Sequence, residues 1–160
     1  MDKNHNLDST DFKILKVLQE NGKISNLNLS KTIGLSPAPT LERVKKLEQN
    51  GIIESYHAKL NKGELGLHLQ ALIQVTLVRQ VQDAAAKFLA KAEQVAEVVE
   101  IYQVTGAFDY QLTVHAKSIS DFERLIREQL AEIEEIGSMQ TMVVLNKIKD
   151  SKLLPLDYPE

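Results

Sequence analysis

Two short stretches of this 160-residue chain carry residue types that could recognise another molecule. The first is Ser36-Pro37-Ala38-Pro39-Thr40, followed by Arg43 and Lys46. Small and polar groups ahead of spaced cations suit a helix that enters the major groove of DNA, with bases met near its start and phosphates along its flank. Arg43 could read a guanine edge through its planar fork, whereas Lys46 is a point charge suited to a phosphate. The same pattern also describes an ordinary surface helix with cations on one side. Glu42 and Glu48 lower the local charge, so a single copy would bind modestly.

The second stretch is Gly106-Ala107-Phe108-Asp109-Tyr110. It reads as a turn in which Gly supplies a positive φ and Asp bonds nearby backbone. That turn reading is the favoured one on the residues alone; the functional alternative is a small-ligand site, in which loop N–H groups donate to a carboxylate, Asp109 pairs with an ammonium, and apolar neighbours hold a side chain. A free amino acid has that charge pattern. Catalytic chemistry finds less support. His57, His68 and His115 lack metal-ligand spacing, and His115 alternates with Gln111 and Thr113 in a way that allows proton transfer without arguing for it. No phosphate loop, nucleophile elbow or carboxylate pair is visible. The absence of Cys excludes a disulfide framework, a thiolate zinc site and a Cys nucleophile. No enzyme activity, cofactor or metal is expected.

Three helices should hold the first stretch. Asp8 is a suitable N-cap for a run with Phe12, Leu15 and Leu18 at helical spacing, and Asn21-Gly22 a suitable stop. A second helix should span Asn26–Ile33, with Gly34 in the left-handed position beyond it. Ser36 as N-cap and Pro37 at the first helical position open a third, which runs to about Asn50-Gly51. Leu41, Val44 and Leu47 are expected to form its buried stripe, leaving Pro39, Glu42, Arg43, Lys46 and Asn50 mostly on the other side. Helix, Gly-containing turn, helix is the helix-turn-helix pattern. Residues 52–60 read as extended and suit a small ribbon beside the helices, a winged-helix-like arrangement.

Beyond Lys62 the pattern alternates. Leu69, Ala71, Ile73, Val75 and Leu77 mark a strand, residues 83–92 a helix, and residues 98–104 and Tyr110–Ala116 two strands of a hairpin. Ser120 and Glu123 form a capping box for a helix burying Phe122, Leu125, Ile126, Leu130 and Ile133; after Gly137, residues 139–145 form the last strand. This is the ferredoxin-like βαββαβ order, with helices on one face of the sheet. The other face should carry Leu72, Val78, Val99, Ile101, Met142 and Val144, enough apolar surface to require a cover, most simply a second copy. The fold class is α+β: a helix-turn-helix domain over residues 1–62, a linker at 63–66 and a ferredoxin-like domain over 67–160.

At 43% hydrophobic and 26% charged residues, the composition excludes a disordered chain. No apolar run approaches the ~18 residues of a membrane helix, and the polar start Met1-Asp2-Lys3-Asn4-His5-Asn6 does not read as a signal peptide, so a soluble, cytoplasmic protein is expected. A net charge of −3 argues against nucleic acid only if it is evenly spread. It is not: residues 1–62 sum to +3 and residues 63–160 to −6. In an oligomer, several basic heads can hold one DNA segment while the acidic bodies stay off it.

Taken together, Leu7-Asp8-Ser9-Thr10-Asp11-Phe12-Lys13-Ile14-Leu15, Ile24-Ser25-Asn26 with Leu29-Ser30-Lys31, the run from Gly34 to Glu48, Gly51-Ile52-Ile53, Leu65-Gly66 and Gly106-Ala107-Phe108-Asp109-Tyr110 resemble the Lrp/AsnC (feast/famine) family of transcriptional regulators over nearly the whole chain. The resemblance implies an N-terminal domain that binds double-stranded DNA through Ser36, Ala38, Pro39, Thr40, Arg43 and Lys46. It also implies a C-terminal domain that binds an amino-acid effector and assembles homodimers into a higher oligomer, often an octamer. The loop matching the family's Gly-x-Phe/Tyr-Asp pattern lies in the effector pocket, which implies effector contacts from Gly106, Ala107, Phe108, Asp109 and Tyr110, with Gln140 and Thr141 from the last strand. Several leucine-responsive members carry an acidic residue where this chain has Ala107; Ala107 and Met139 fit an apolar effector side chain. Some proteins of this two-domain plan resemble sirohaem decarboxylases, a comparison that His115 invites and the basic third helix speaks against.

Overall fold

The computed structural model describes residues 7–78, 83–151 and 153–156, so the polar stretch 1–6 and Pro159 lie outside it. The described residues divide into two units, one of residues 7–59 that also takes in those from Lys149 to Leu156, the other within Leu60–Ile148.

The first unit is built on three helices, α1 (Ser9–Glu20), α2 (Asn26–Ile33) and α3 (Pro37–Gln49). Asp8 caps α1 by accepting from the N–H groups of Thr10 and Asp11, both at 2.9 Å, while Asp11 returns the bond to the Asp8 N–H at 3.1 Å, a reciprocal capping box. Ser25 caps α2, and Gly34 ends it at φ 76°, a left-handed turn that a side chain would strain. Ile14, Leu15, Leu29 and Leu47 form the core. The inward residues of α3 are Thr40, Val44 and Leu47, whereas Leu41 is 42% exposed, contrary to the expected stripe. Steps of four and three stay on one face of a 3.6-residue helix, and repeated steps of three walk off it.

Two further expectations are corrected here. Residues 52–60 form no strand; Ile52 and Ile53 pack half-buried on the core and the chain beyond them is exposed. The tail, assigned by its position to the second domain, belongs to the first unit. Leu156 packs on the helical core, and the Gln19 side chain brackets the Leu154 backbone, accepting from its N–H at 2.6 Å and donating to its carbonyl at 3.3 Å. Lys59 pairs with Asp150 at 2.9 Å in the same unit.

The second unit is a four-stranded antiparallel sheet of β1 (Leu69–Leu77), β2 (Val98–Gln103), β3 (Tyr110–Ala116) and β4 (Ile136–Val143), in the order β2-β3-β1-β4. This is the ferredoxin-like topology. Helix α4 (Ala84–Ala92), helix α5 (Ile119–Leu125) and a π-helical turn (Ile126–Leu130) supply Phe88, Ala92, Phe122, Leu125 and Leu130 to a core completed by Ala71, Ile73, Val75, Leu112 and Val114 from the strands. Helix α5 is capped by Ser118, which accepts from the Asp121 N–H at 3.1 Å, two residues ahead of the expected Ser120 and Glu123 box. Strand β4 begins at Ile136, earlier than expected, and contains Gly137. Gly137 is the extra residue of a bulge in β4, opposite Thr76 and Leu77, and a Cβ there would stand 3.3 Å from the Thr76 carbonyl, so the glycine permits close approach instead of ending the strand. A bulge between Val98 and Glu100 resets the alternation of β2 and turns Ile101 toward the helices. The open face is therefore more polar than expected. Tyr102, Gln111, Gln74 and Gln140 face one another in a row across all four strands, flanked by Leu72 and Met142.

Candidate nucleic-acid interface and effector site

Helix α3 follows α2 through the Gly34 turn, and Asn26 Nδ2 donates to the Pro37 carbonyl at 2.8 Å, tying the two helix starts together. Ser36, Ala38, Pro39 and Lys46 are exposed. Ser36 makes no side-chain capping bond, so its hydroxyl stays available to a ligand at the helix N-terminus. Thr40, expected among these contacts, is fully buried, and its hydroxyl donates to the Ser36 carbonyl at 2.9 Å; it braces the first turn from inside. Arg43 is half-buried against α1 instead of standing with the exposed group, its Nη1 lying 2.7 Å from Asp8 and 2.8 Å from Asp11. Those bonds raise the Arg43 pKa. The Asp11 N–H, opposed by burial and aided by Arg43, lowers that of Asp8. Lys45 was not anticipated. It shares the exposed face of Ala38, Glu42 and Gln49, and the spacing of four, three and four among these positions is the signal that identifies it.

The second constellation sits between β2 and β3. Gly106 has φ 118°, a conformation that side chains rarely adopt, and Gly106 and Ala107 are exposed. Asp109 is fixed at three points: its N–H donates to the Val75 carbonyl at 2.9 Å, its carbonyl accepts from Val104 at 3.0 Å, and its Oδ2 accepts from the Leu77 N–H at 2.8 Å. Among the described residues, Oδ1 makes no hydrogen bond. One oxygen of the carboxylate is thus committed to β1 and the other is not. Tyr110 is buried, its ring 4.9 Å from that of Phe88 in the core. On β4, Gln140 pairs with Gln74 on the open face, whereas Thr141 pairs with Ile73 and points to the opposite side, so the two do not converge. Met139 packs against the core.

His115, on the open side of β3, has only 6% of its surface exposed. Its Nε2 lies 2.6 Å from the Nζ of Lys62. An ammonium can only donate, so the ring accepts at Nε2 and carries its proton on Nδ1, which has no partner within hydrogen-bonding geometry among the described residues. Burial first, and Lys62 second, lower the His115 pKa.

Residues 7–54 match the winged helix-turn-helix DNA-binding family and residues 70–154 the Lrp/AsnC ligand binding domain. The leucine-responsive regulatory protein of Haemophilus influenzae is 40% identical over 154 residues, covering 96% of this chain and 93% of its own. A transcriptional regulator of Neisseria meningitidis, solved as an L-methionine complex, superposes with a TM-score of 0.91 at 38% identity, covering 94% of this chain and 97% of its own. A feast or famine regulatory protein of Mycobacterium tuberculosis, also solved with L-methionine, gives 0.84 at 25% identity, covering 92% and 98%. Among the described residues no helix is long and apolar enough to cross a membrane. With a helix-turn-helix unit at its start, a ligand-binding unit after it and transcriptional regulators instead of enzymes as relatives, the chain belongs to the Lrp/AsnC family of DNA-binding transcriptional regulators.

Proposed function

We propose that this regulator senses an apolar amino acid in the cytoplasm and answers by changing its affinity for operator DNA. The observation that carries the reading is the Asp109 carboxylate, locked to β1 through Oδ2 and to the turn through its backbone, with Oδ1 left to receive an ammonium. The exposed backbone at Gly106 and Ala107 would donate to the effector carboxylate, with Phe108 beside it and Gln140 the nearer of the two strand candidates; Thr141 contributes only if approached from the other side of β4. Tyr110 holds the loop through the core. Two solved relatives carry L-methionine, which favours an unbranched apolar side chain over leucine here. On α3, Ser36, Ala38 and Pro39 meet base edges and Lys45 and Lys46 meet phosphates.

Self-association supplies the other half of the mechanism. The glutamine row with Leu72 and Met142, together with Leu145 and Ile148 at 97% and 88% exposure beyond β4, suits a second copy, and further assembly to an octamer would gather several basic units on one DNA. An effector that binds one assembly better shifts the population toward it and so changes DNA affinity. Selecting bound sequences from a random DNA pool, with and without a panel of amino acids, tests the reading. One amino acid should change the selected affinity and, in sedimentation, the assembly. A pool unaffected by every amino acid would refute sensing, and a concentration-independent monomer would refute assembly.

A further inference from the structure

Helix α3 carries two kinds of cation. Lys45 and Lys46 stand exposed, whereas Arg43 lies beside the inward residues Thr40 and Leu47 with its side chain 35% exposed. One nitrogen of its guanidinium, Nη1, spans the two members of the α1 capping box, Asp8 Oδ2 at 2.7 Å and Asp11 Oδ1 at 2.8 Å. Both hydrogens of that nitrogen are therefore used. The carboxylates are equally committed, because Asp8 Oδ1 accepts from Thr10 and Asp11 and Asp11 Oδ2 accepts from Asp8. One cation and two anions leave the cluster with a net negative charge, which does not attract phosphate. Turning Nη1 toward a base would cost the guanidinium two short charge-assisted bonds, and those bonds hold its plane against α1.

We propose that Arg43 is a positioning residue: it locks α3 onto the capped start of α1 and so sets the angle at which Ser36, Ala38, Lys45 and Lys46 reach DNA, without touching DNA itself. The inference rests on α3 being the helix that enters the groove. The α1 capping box then has two tasks, ending one helix and holding another. Arginine suits this role better than lysine, because its guanidinium is pre-organised and more weakly hydrated, so less is lost on holding it between two carboxylates.

The test uses the full chain and a DNA site obtained by selection, with affinity followed by fluorescence anisotropy across a salt series at a temperature where circular dichroism shows each variant folded. Arg43→Ala and Asp11→Asn should each weaken binding on the order of tenfold for every sequence, leaving the base preference and the salt slope unchanged. Their combination should be no weaker than the worse single variant, and Arg43→Lys should restore part of the loss. A base contact by Arg43 would instead relax preference at one position, with Asp11→Asn binding as tightly as the unaltered protein or tighter. A phosphate contact would lower the salt slope by about one. Unchanged affinity in the folded variants would mean that Arg43 only stabilises. Any of these three results overturns the proposal, and if Arg43→Ala does not fold, Asp11→Asn and Arg43→Lys decide. Lys45→Ala with Lys46→Ala is the separate control: no loss of affinity or salt slope there would remove α3 from the groove, whatever Arg43 does.

Discussion

Asp109 is the position at which stability and sensing can be separated by two substitutions. In Asp109→Asn the amide oxygen can still accept from the Leu77 N–H, 2.8 Å away, so the end of β1 keeps its partner. In Asp109→Ala that partly buried N–H is left unpaired, at a cost of about 1–2 kcal/mol. For a unit of this size, each kcal/mol moves the melting temperature by roughly 4–8 °C, so the alanine variant should melt about 5–15 °C lower and the asparagine variant within a few degrees of the parent. The effector reports the other role. At a hundred times its Kd a ligand stabilises its site by about 2.7 kcal/mol. Losing a charge-assisted bond of about 2 kcal/mol weakens binding ~30-fold and leaves about 0.9 kcal/mol of that stabilisation. Differential scanning fluorimetry with a panel of amino acids reads both quantities. An asparagine variant with the full ligand shift would remove Asp109 from the effector site, and an alanine variant as stable as the asparagine one would remove the Leu77 bond from the stability of the sheet.

Three further outcomes are expected. His115 takes up a proton less readily when folded than when unfolded, so the unfolded chain binds more protons on acidification: stability is present above the ordinary histidine value of about 6.5 and falls below it. His115→Gln should flatten this slope in urea midpoints between about pH 5 and 7.5, and an unchanged slope would assign it to other groups. Gly106→Ala meets no atom within 4 Å, so its cost is backbone strain alone, about 1–2 kcal/mol in urea unfolding; a neutral result would mean that the loop relaxes freely. Deleting residues 152–160 removes the Leu156 packing and the Leu154 bonds, and should speed hydrogen exchange in α1 by an amount equivalent to about 1–3 kcal/mol. Equal protection with and without the tail would refute its structural role.

Elements whose ends are fixed by local chemistry were legible. Asp8 and Ser36 mark two helix starts because short polar side chains at those positions satisfy or adjoin the free N–H groups of the first turn, Gly34 marks the end of α2, and period-two alternation marks β1. Features that depend on a distant partner were not. Arg43 looks like a free cation until Asp8 and Asp11 are folded beside it, and Thr40 and Leu41 exchange places because the core, not the local pattern, chooses the phase of α3. Bulges in β2 and β4 shift side chains between faces with no marker in composition, and the one in β2 turns Ile101 to the side opposite the expected one. In the loop, both the turn and the ligand reading could be drawn from Gly106 and Asp109; the Oδ2 bond to Leu77 accounts for the turn and leaves Oδ1 for the proposed ligand.

The return of the tail to the helical unit also orders events in time. Leu154 and Leu156 leave the ribosome only after residues 60–148, a delay of about 5–20 s at ordinary elongation rates. Throughout that interval the three helices lack the Leu156 packing and the Leu154 bonds, so a chain that stops early is expected to carry a less stable helical unit. For the same reason a fragment ending at Lys59 is not the natural DNA-binding module; rejoining residues 149–156 to it through a short loop would be the faithful excision.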